Sequence, residues 1–289
     1  MIGAIIGDVV GSVHEFLDAK HFDAELFVPE SRVTDDSVLT VATADAILKS
    51  RFYTEKYQQY AREYQNCGYG PSFMDWAFTN SNYITPNFSW GNGSAMRVSP
   101  VGWAFNTLQA VMLEAQQSAC ITHAHPGGLA GAQAIAVAVF LARHGATKDE
   151  IKAVMTHWFQ YDVELNLDEL NETYKFDVSC QGTVPVAIAC ALQADSFEKV
   201  LRNGLYVGGD TDTLLACAAA VAEPLYGVPD DLRQKAEGVL GSYSQGLLGI
   251  VKDFEIKYGC GKSVKRSNKA LQLVKMLVSM GQRFSGKAA

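Results

Sequence analysis

The chain has no CxxC pair, no uninterrupted apolar run of 18 residues, no Pro/Ser-rich linker and no excess of basic charge. Each absence excludes something. Its six cysteines (Cys67, Cys120, Cys180, Cys190, Cys217 and Cys260) are scattered, several inside apolar stretches such as AIACAL and LLACAAA. That usage excludes a disulfide-stapled secreted scaffold and predicts reduced thiols in a reducing compartment. The missing long apolar run predicts no membrane span. The opening MIGAIIGDVVGSVHEF has no basic leader and meets Asp8 too early for a signal peptide, so a cytoplasmic location is expected. With 24 Lys and Arg against 31 Asp and Glu, the formal charge of −7 offers no electrostatic footprint for nucleic acid.

What is present is apolar and helical. An apolar fraction of 48% over 289 residues is ample for a sizeable core. Without a linker or internal repeat, the chain reads as a single domain over residues 1–289, with a monomer as the default state. Strand-like alternation is nearly missing, whereas helical periodicity recurs in DSVLTVATADAILKS, TLQAVMLEAQQSACI, LAGAQAIAVAVFLARHG, VPVAIACALQA and TLLACAAAVAEPLYG. DLRQKAEGVLGSYSQGLLGIVKDF reads as one further long helix. The fold class is therefore all-α, with the Ala-rich helices at the centre, where small side chains let axes approach. From about residue 262, Lys262, Lys265, Arg266, Lys269, Lys275, Arg283 and Lys287 surround the apolar stripe LQLVKMLVSM without any acid. This reads as a basic terminal helix docked on the body with its lysines in solvent.

Oxygen-bearing residues gather in a few places. Thr34, Asp35 and Asp36 open one helix, and Asp210, Asp212 and Thr213 open another after Gly208-Gly209. A helix cap needs only one such residue. Adjacent carboxylates repel unless a cation lies between them, and the lack of His or Cys in either cluster points to Mg²⁺ or Mn²⁺ over zinc. Gly3, Gly7 and Gly11 recur at helical spacing, which suits close helix packing, and Asp8 and Glu15 share a face if one helix runs through both. WGNGSAMRVSPVGW is a glycine turn leading into a helix near Ala95, suited to a phosphate or polar sugar. In ITHAHPGG, His123 suits contact with a ligand and His125 suits turn structure.

Five motifs in order, GAIIGDVVGSVHE, TDDSVLT, GNGSAMR, THAHPGGLAGA and VGGDTDT, together resemble the ADP-ribosylglycohydrolase family, which includes dinitrogenase-reductase-activating glycohydrolases and ADP-ribosyl-acceptor hydrolases. The resemblance implies a compact orthogonal helical bundle around two divalent cations, Mg²⁺ or Mn²⁺. It also implies release of ADP-ribose from a modified protein side chain or small molecule. On the matching positions, Thr34, Asp35 and Asp36 supply one half of the metal site, and Asp210, Asp212 and Thr213 the other. Glu15 matches the family's glutamate, a second-metal ligand, gate and acid/base, which with Asp35 and Asp36 makes the expected catalytic set. Gly91, Asn92, Gly93, Ser94 and Met96 match the loop that holds diphosphate and distal ribose, and His123 a ligand-contacting histidine. Asp8 matches an acid that braces the first helix. The alternative is a non-catalytic ADP-ribose-binding or crystallin-like member of the same fold. DDSVL lacks the third acid of a terpene synthase, and no His-Asp pair of a phosphohydrolase is present.

Overall fold

The computed structural model describes residues 1–15, 20, 23–79 and 87–260, with Gln272, Val274, Lys275, Met276 and Val278 beyond them. No strand occurs among the described residues, and up to residue 260 the described chain forms fifteen helices. They are α1 (Ile2–Gly11), α2 (Asp35–Lys49), α3 (Tyr53–Glu63), α4 (Pro71–Phe78), α5 (Gly93–Met96), α6 (Ser99–Ala104), α7 (Leu108–Cys120), α8 (Pro126–Arg143), α9 (Lys148–Trp158), α10 (Leu167–Thr173), α11 (Cys180–Leu192), α12 (Phe197–Val207), α13 (Thr211–Tyr226), α14 (Asp230–Tyr243) and α15 (Gln245–Tyr258). The all-α expectation holds.

At the centre lies α13, buried from Thr211 to Glu223 and packed against α1, α8, α11 and α12. Its run LACAAAVA presents little side-chain volume, so neighbouring backbones come close. On α1 the three glycines make that approach obligatory. A Cβ placed on Gly3, Gly7 or Gly11 would fall 2.4 Å from the Ala219 carbonyl oxygen, 2.1 Å from the Leu215 carbonyl oxygen and 2.4 Å from the Asp212 Cα. The descending order along α13 shows that the two helices run antiparallel, which carries the end of α1 to the start of α13. Close packing thus accounts for the glycine spacing.

Three expectations need correction. The helix foreseen from residue 231 to 254 is two helices, because Ser244 takes an extended backbone and its Oγ accepts the Leu247 N–H as the cap of α15. The helix expected near Ala95 is likewise two short pieces, α5 and α6, the second beginning at Ser99-Pro100, where proline is welcome in a first turn. No single helix runs through Asp8 and Glu15. α1 stops at Gly11, and the Ser12 hydroxyl bonds back to the Val9 carbonyl while accepting the Arg32 N–H. Glu15 sits on the turn that follows.

α8 is long and apolar enough to cross a membrane by length and composition, but 72% of it is buried inside the molecule. Of the basic segment, the described positions are helical and Val274 is buried against the body; the rest lies outside the described residues. Cys67, Cys180, Cys190 and Cys217 are buried, and the six thiols are all free.

Candidate active site

Three chain segments meet where α1 ends and α2 and α13 begin. Asp8, fully buried on α1, accepts hydrogen bonds from Thr34 N at 3.1 Å, Thr34 Oγ1 at 2.7 Å, Ser37 N at 3.1 Å and the Ser37 hydroxyl. One carboxylate therefore ties the last turns of α1 to the first turn of α2. Thr34 in turn caps α2 by accepting the Asp36 N–H at 3.3 Å. The result orients Asp35 and Asp36 toward the start of α13.

There a cavity of about 340 Å³ is walled by Glu15, Asp35, Asp36, Asp210, Asp212 and Thr213, with Gly91, Asn92, Gly93, Met96 and His123 on another side. Carboxylate oxygens of Glu15, Asp210 and Asp212 lie within 4.8 Å of one another. Thr213 Oγ1 donates to Asp36 Oδ2 at 3.2 Å, and its backbone N–H donates to Asp212 Oδ1 at 2.9 Å. Asp36 Oδ1 is buried with no hydrogen-bond partner. Such an orphan is costly to leave unless something else satisfies it.

The acids disturb one another. Burial is the largest push on every one, and it holds Asp35, Asp36 and Asp212 well above the usual carboxylate range, with repulsion from neighbouring acids adding to it. Asp210 rises to about 6, moderated by hydrogen bonds from Asp212 and Asn92. Glu15 rises to about 7, with the Asp212 charge second to burial. Five carboxyl groups thus face a hollow in which Arg97 is, among the described residues, the one permanently cationic lining residue. All the nearest donors are hard oxygens. A divalent cation such as Mg²⁺ or Mn²⁺ fits this set: it would satisfy the Asp36 orphan and relieve the repulsion.

The glycine turn is tied to the acids. Asn92 Nδ2 donates to Asp210 Oδ2 at 2.7 Å and to Thr183 Oγ1 at 3.0 Å. The Gly91 N–H goes to Ser89 Oγ and the Asn92 N–H to the Val178 carbonyl. His123 packs over the turn: a Cβ on Gly93 would lie 3.2 Å from its Nε2. Burial and the Arg97 charge push His123 down to about 3, so its ring is neutral. Its Nδ1 lies 2.8 Å from the Thr122 hydroxyl, which also accepts from Arg97 Nη2 at 2.7 Å. His125 serves the turn, as expected: its Nδ1 caps α8 by accepting the Gly127 N–H, and its ring meets Phe88 and Trp90 edge-on.

Two of the sequence-derived site residues stand behind the cavity wall. Thr34 spends its hydroxyl on Asp8 and the α2 cap, and the fully buried Ser94 donates to the Gly128 carbonyl at 2.8 Å. The Gly208-Gly209 pair also has a different use. Both have positive φ; a Cβ on Gly209 would fall 2.6 Å from the Tyr174 ring and one on Gly208 3.1 Å from the Lys20 Cγ, so the pair admits two neighbouring side chains. Part of the wall was not legible in the sequence: Gly68 and Gly70 to Phe73 on one flank, Asn87 and Ser89, and Phe176 and Val178, the last two each about half exposed at the mouth. Exposed apolar residues in FDVSC were the available signal. No regular pattern linked that loop to the glycine turn, because the link is a single bridge between Gly91 and Ser179.

The chain is 27% identical to ADP-ribosylhydrolase ARH3 of Mus musculus over 82% of this chain and 86% of that one. It is 23% identical to the ADP-ribosylarginine hydrolase Tri1 of Serratia proteamaculans over 78% and 70% respectively. The fold matches a solved ADP-ribosylglycohydrolase-related protein complex with a TM-score of 0.65 at 20% identity, covering 87% of this chain and 95% of that chain. Residues 1–259 match the ADP-ribosylglycohydrolase family, and the chain belongs to that family.

Proposed function

We propose that the protein is a cation-dependent hydrolase that cleaves the glycosidic bond between ADP-ribose and a modified acceptor, a protein side chain or a small molecule. The observation that carries this reading is the convergence of Glu15, Asp35 with Asp36, and Asp210 with Asp212 on one cavity beside a glycine turn, from segments far apart in the sequence. Family membership and the hydrolase activities of the mouse and Serratia relatives support it.

Asp35, Asp36, Asp210 and Asp212, with Thr213 beside them, would hold two divalent cations, Mg²⁺ or Mn²⁺. When bound, these supply charge to orient ribose hydroxyls and to make water a nucleophile near neutral pH. The chain's own groups do the rest. Glu15, raised to about 7, is poised to protonate the departing acceptor atom or to take a proton from the attacking water, as rupture of the bond at the anomeric carbon develops oxocarbenium character. His123 Nε2 faces the turn where a diphosphate or distal ribose would sit. With the Gly91 and Asn92 N–H groups spent inside the protein, the Gly93 N–H at the cavity wall would be the turn's donor to phosphate oxygens. Trp90 and Phe88, 55% and 66% exposed beside the turn, offer faces for a nucleobase to stack on. Holding the substrate in this way lowers the barrier by roughly several kcal/mol before any chemistry.

The test is release of ADP-ribose from a panel of arginine-linked, serine-linked and small-molecule conjugates, with Mg²⁺ or Mn²⁺ and with a chelator. Release from at least one conjugate, abolished by chelation, is expected. Tight ADP-ribose binding without release from any conjugate would make the protein a binding module instead.

A further inference from the structure

We propose that Arg97, acting through Thr122, holds the His123 ring with its single proton on Nε2, as a donor to a ligand oxygen lying on the Gly91–Gly93 turn. The ligand half of this statement rests on the ADP-ribose reading above; the relay itself does not.

Arg97 is fully buried, and its Nη2 donates to the Ser118 carbonyl at 3.1 Å and to Thr122 Oγ1 at 2.7 Å. Among the described residues its Nε and Nη1 have no hydrogen-bond partner, and the Tyr57 ring lies 4.2 Å from its guanidinium carbon. A guanidinium has only donors, so the Thr122 oxygen must accept from it. That hydroxyl has one hydrogen of its own, and among the described residues the remaining neighbour within reach is His123 Nδ1 at 2.8 Å. Placing the hydrogen there makes Nδ1 the acceptor and leaves the neutral ring protonated at Nε2. The opposite assignment strands a hydroxyl hydrogen in a site that is 1% exposed. Arg97 also polarises the Thr122 O–H, which strengthens its bond to the ring.

The free end of the relay points at the turn. Nε2 makes no hydrogen bond among the described residues, and Cβ atoms built on Gly93 and Gly91 would lie 3.2 and 3.4 Å from it. Glycine at both positions keeps that N–H open to a ligand. A ring fixed as Nε2–H also has no lone pair there for a metal. His123 is thereby reserved for ligand acceptors, although it shares a cavity with the acid cluster. Arg97 and Thr122 are positioning residues: neither needs to touch the ligand.

The experiment reads the ring directly. Long-range ¹H–¹⁵N spectra of histidine-labelled protein should show His123 as Nε2–H in the wild type. Thr122→Val should shift it toward Nδ1–H and raise the ADP-ribose Kd about tenfold in calorimetry. Thr122→Ser should restore both. Arg97→Lys should resemble Thr122→Val; should it fail to fold, the two Thr122 variants still decide. An Nδ1–H ring in a wild type that binds ADP-ribose would overturn the relay, as would a Thr122→Val protein with unchanged ring spectrum and affinity. Failure of the wild type to bind ADP-ribose would instead overturn the ligand half together with the functional reading.

Discussion

Asn92 Nδ2 donates to Asp210 Oδ2 at 2.7 Å, joining the glycine turn to the acid cluster across 118 positions of sequence. A carboxylate held this way keeps its second oxygen aimed at the cavity. The account therefore expects Asn92→Ala to weaken cation binding by about tenfold, the usual cost of losing such a supporting hydrogen bond. It also expects ADP-ribose binding to weaken, since the turn loses its anchor. Calorimetric titration of each ligand into wild type and variant checks both.

The acids oppose folding when charged, so removing one should stabilise the metal-free protein. Asp36 is held well above the usual range by burial and then by Asp212, and one of its oxygens has no partner. Asp36→Asn is expected to raise the melting temperature in chelator by a few degrees, roughly 1 kcal/mol, while abolishing ADP-ribose release. Thermal scans beside the release assay decide it. A variant less stable than wild type without cations would show that Asp36 is structural.

The same shifts fix a pH dependence. A carboxyl whose folded pKa is raised contributes stability below its unfolded pKa and loses it as pH rises through the folded value. With Asp210 at about 6 and Glu15 at about 7, metal-free stability should decline between roughly pH 4 and pH 7. Cations bind the charged forms. The gain in melting temperature on adding Mg²⁺ should consequently grow from about pH 5 to about pH 8, as paired scans with Mg²⁺ and with chelator would record.

The contact between α1 and α13 sets a further expectation. A Cβ at Gly7 would lie 2.1 Å from the Leu215 carbonyl, an atom that cannot swing aside as a side chain can. Gly7→Ala should destabilise the protein by about 3 kcal/mol, read as a shift of the urea midpoint. Gly238→Ala, on α14 with no atom within 4 Å of the added methyl, is the matched control and should be neutral or stabilising.

Much of this was legible in the chain because it rests on local chemistry. Helical period, Ala-rich central helices and acids at the starts of α2 and α13 are all patterns along the sequence. What could not be read is set by single contacts between distant segments. Thr34 looks like a ligand on its motif, yet Asp8 takes its hydroxyl. Gly208-Gly209 stands just before the second acid cluster, yet the side chains of Lys20 and Tyr174 lie against these glycines. Glu15 reaches the cavity from a turn, with no helix extending past Gly11 to carry it. The short helices α5 and α6 carry too few residues for a period to emerge, and Phe176 and Val178 join the wall through a loop without repeat.

The most direct measurement is Mn²⁺ binding, followed by electron paramagnetic resonance, to wild type, Asp36→Asn and Asp212→Asn. Acids supplied by the start of α2 and by the start of α13 are claimed to grip the same ions. Wild type should therefore take up Mn²⁺, and each substitution alone should lower its affinity at least about tenfold. A wild type that takes up none, or two variants that bind as it does, would contradict the account.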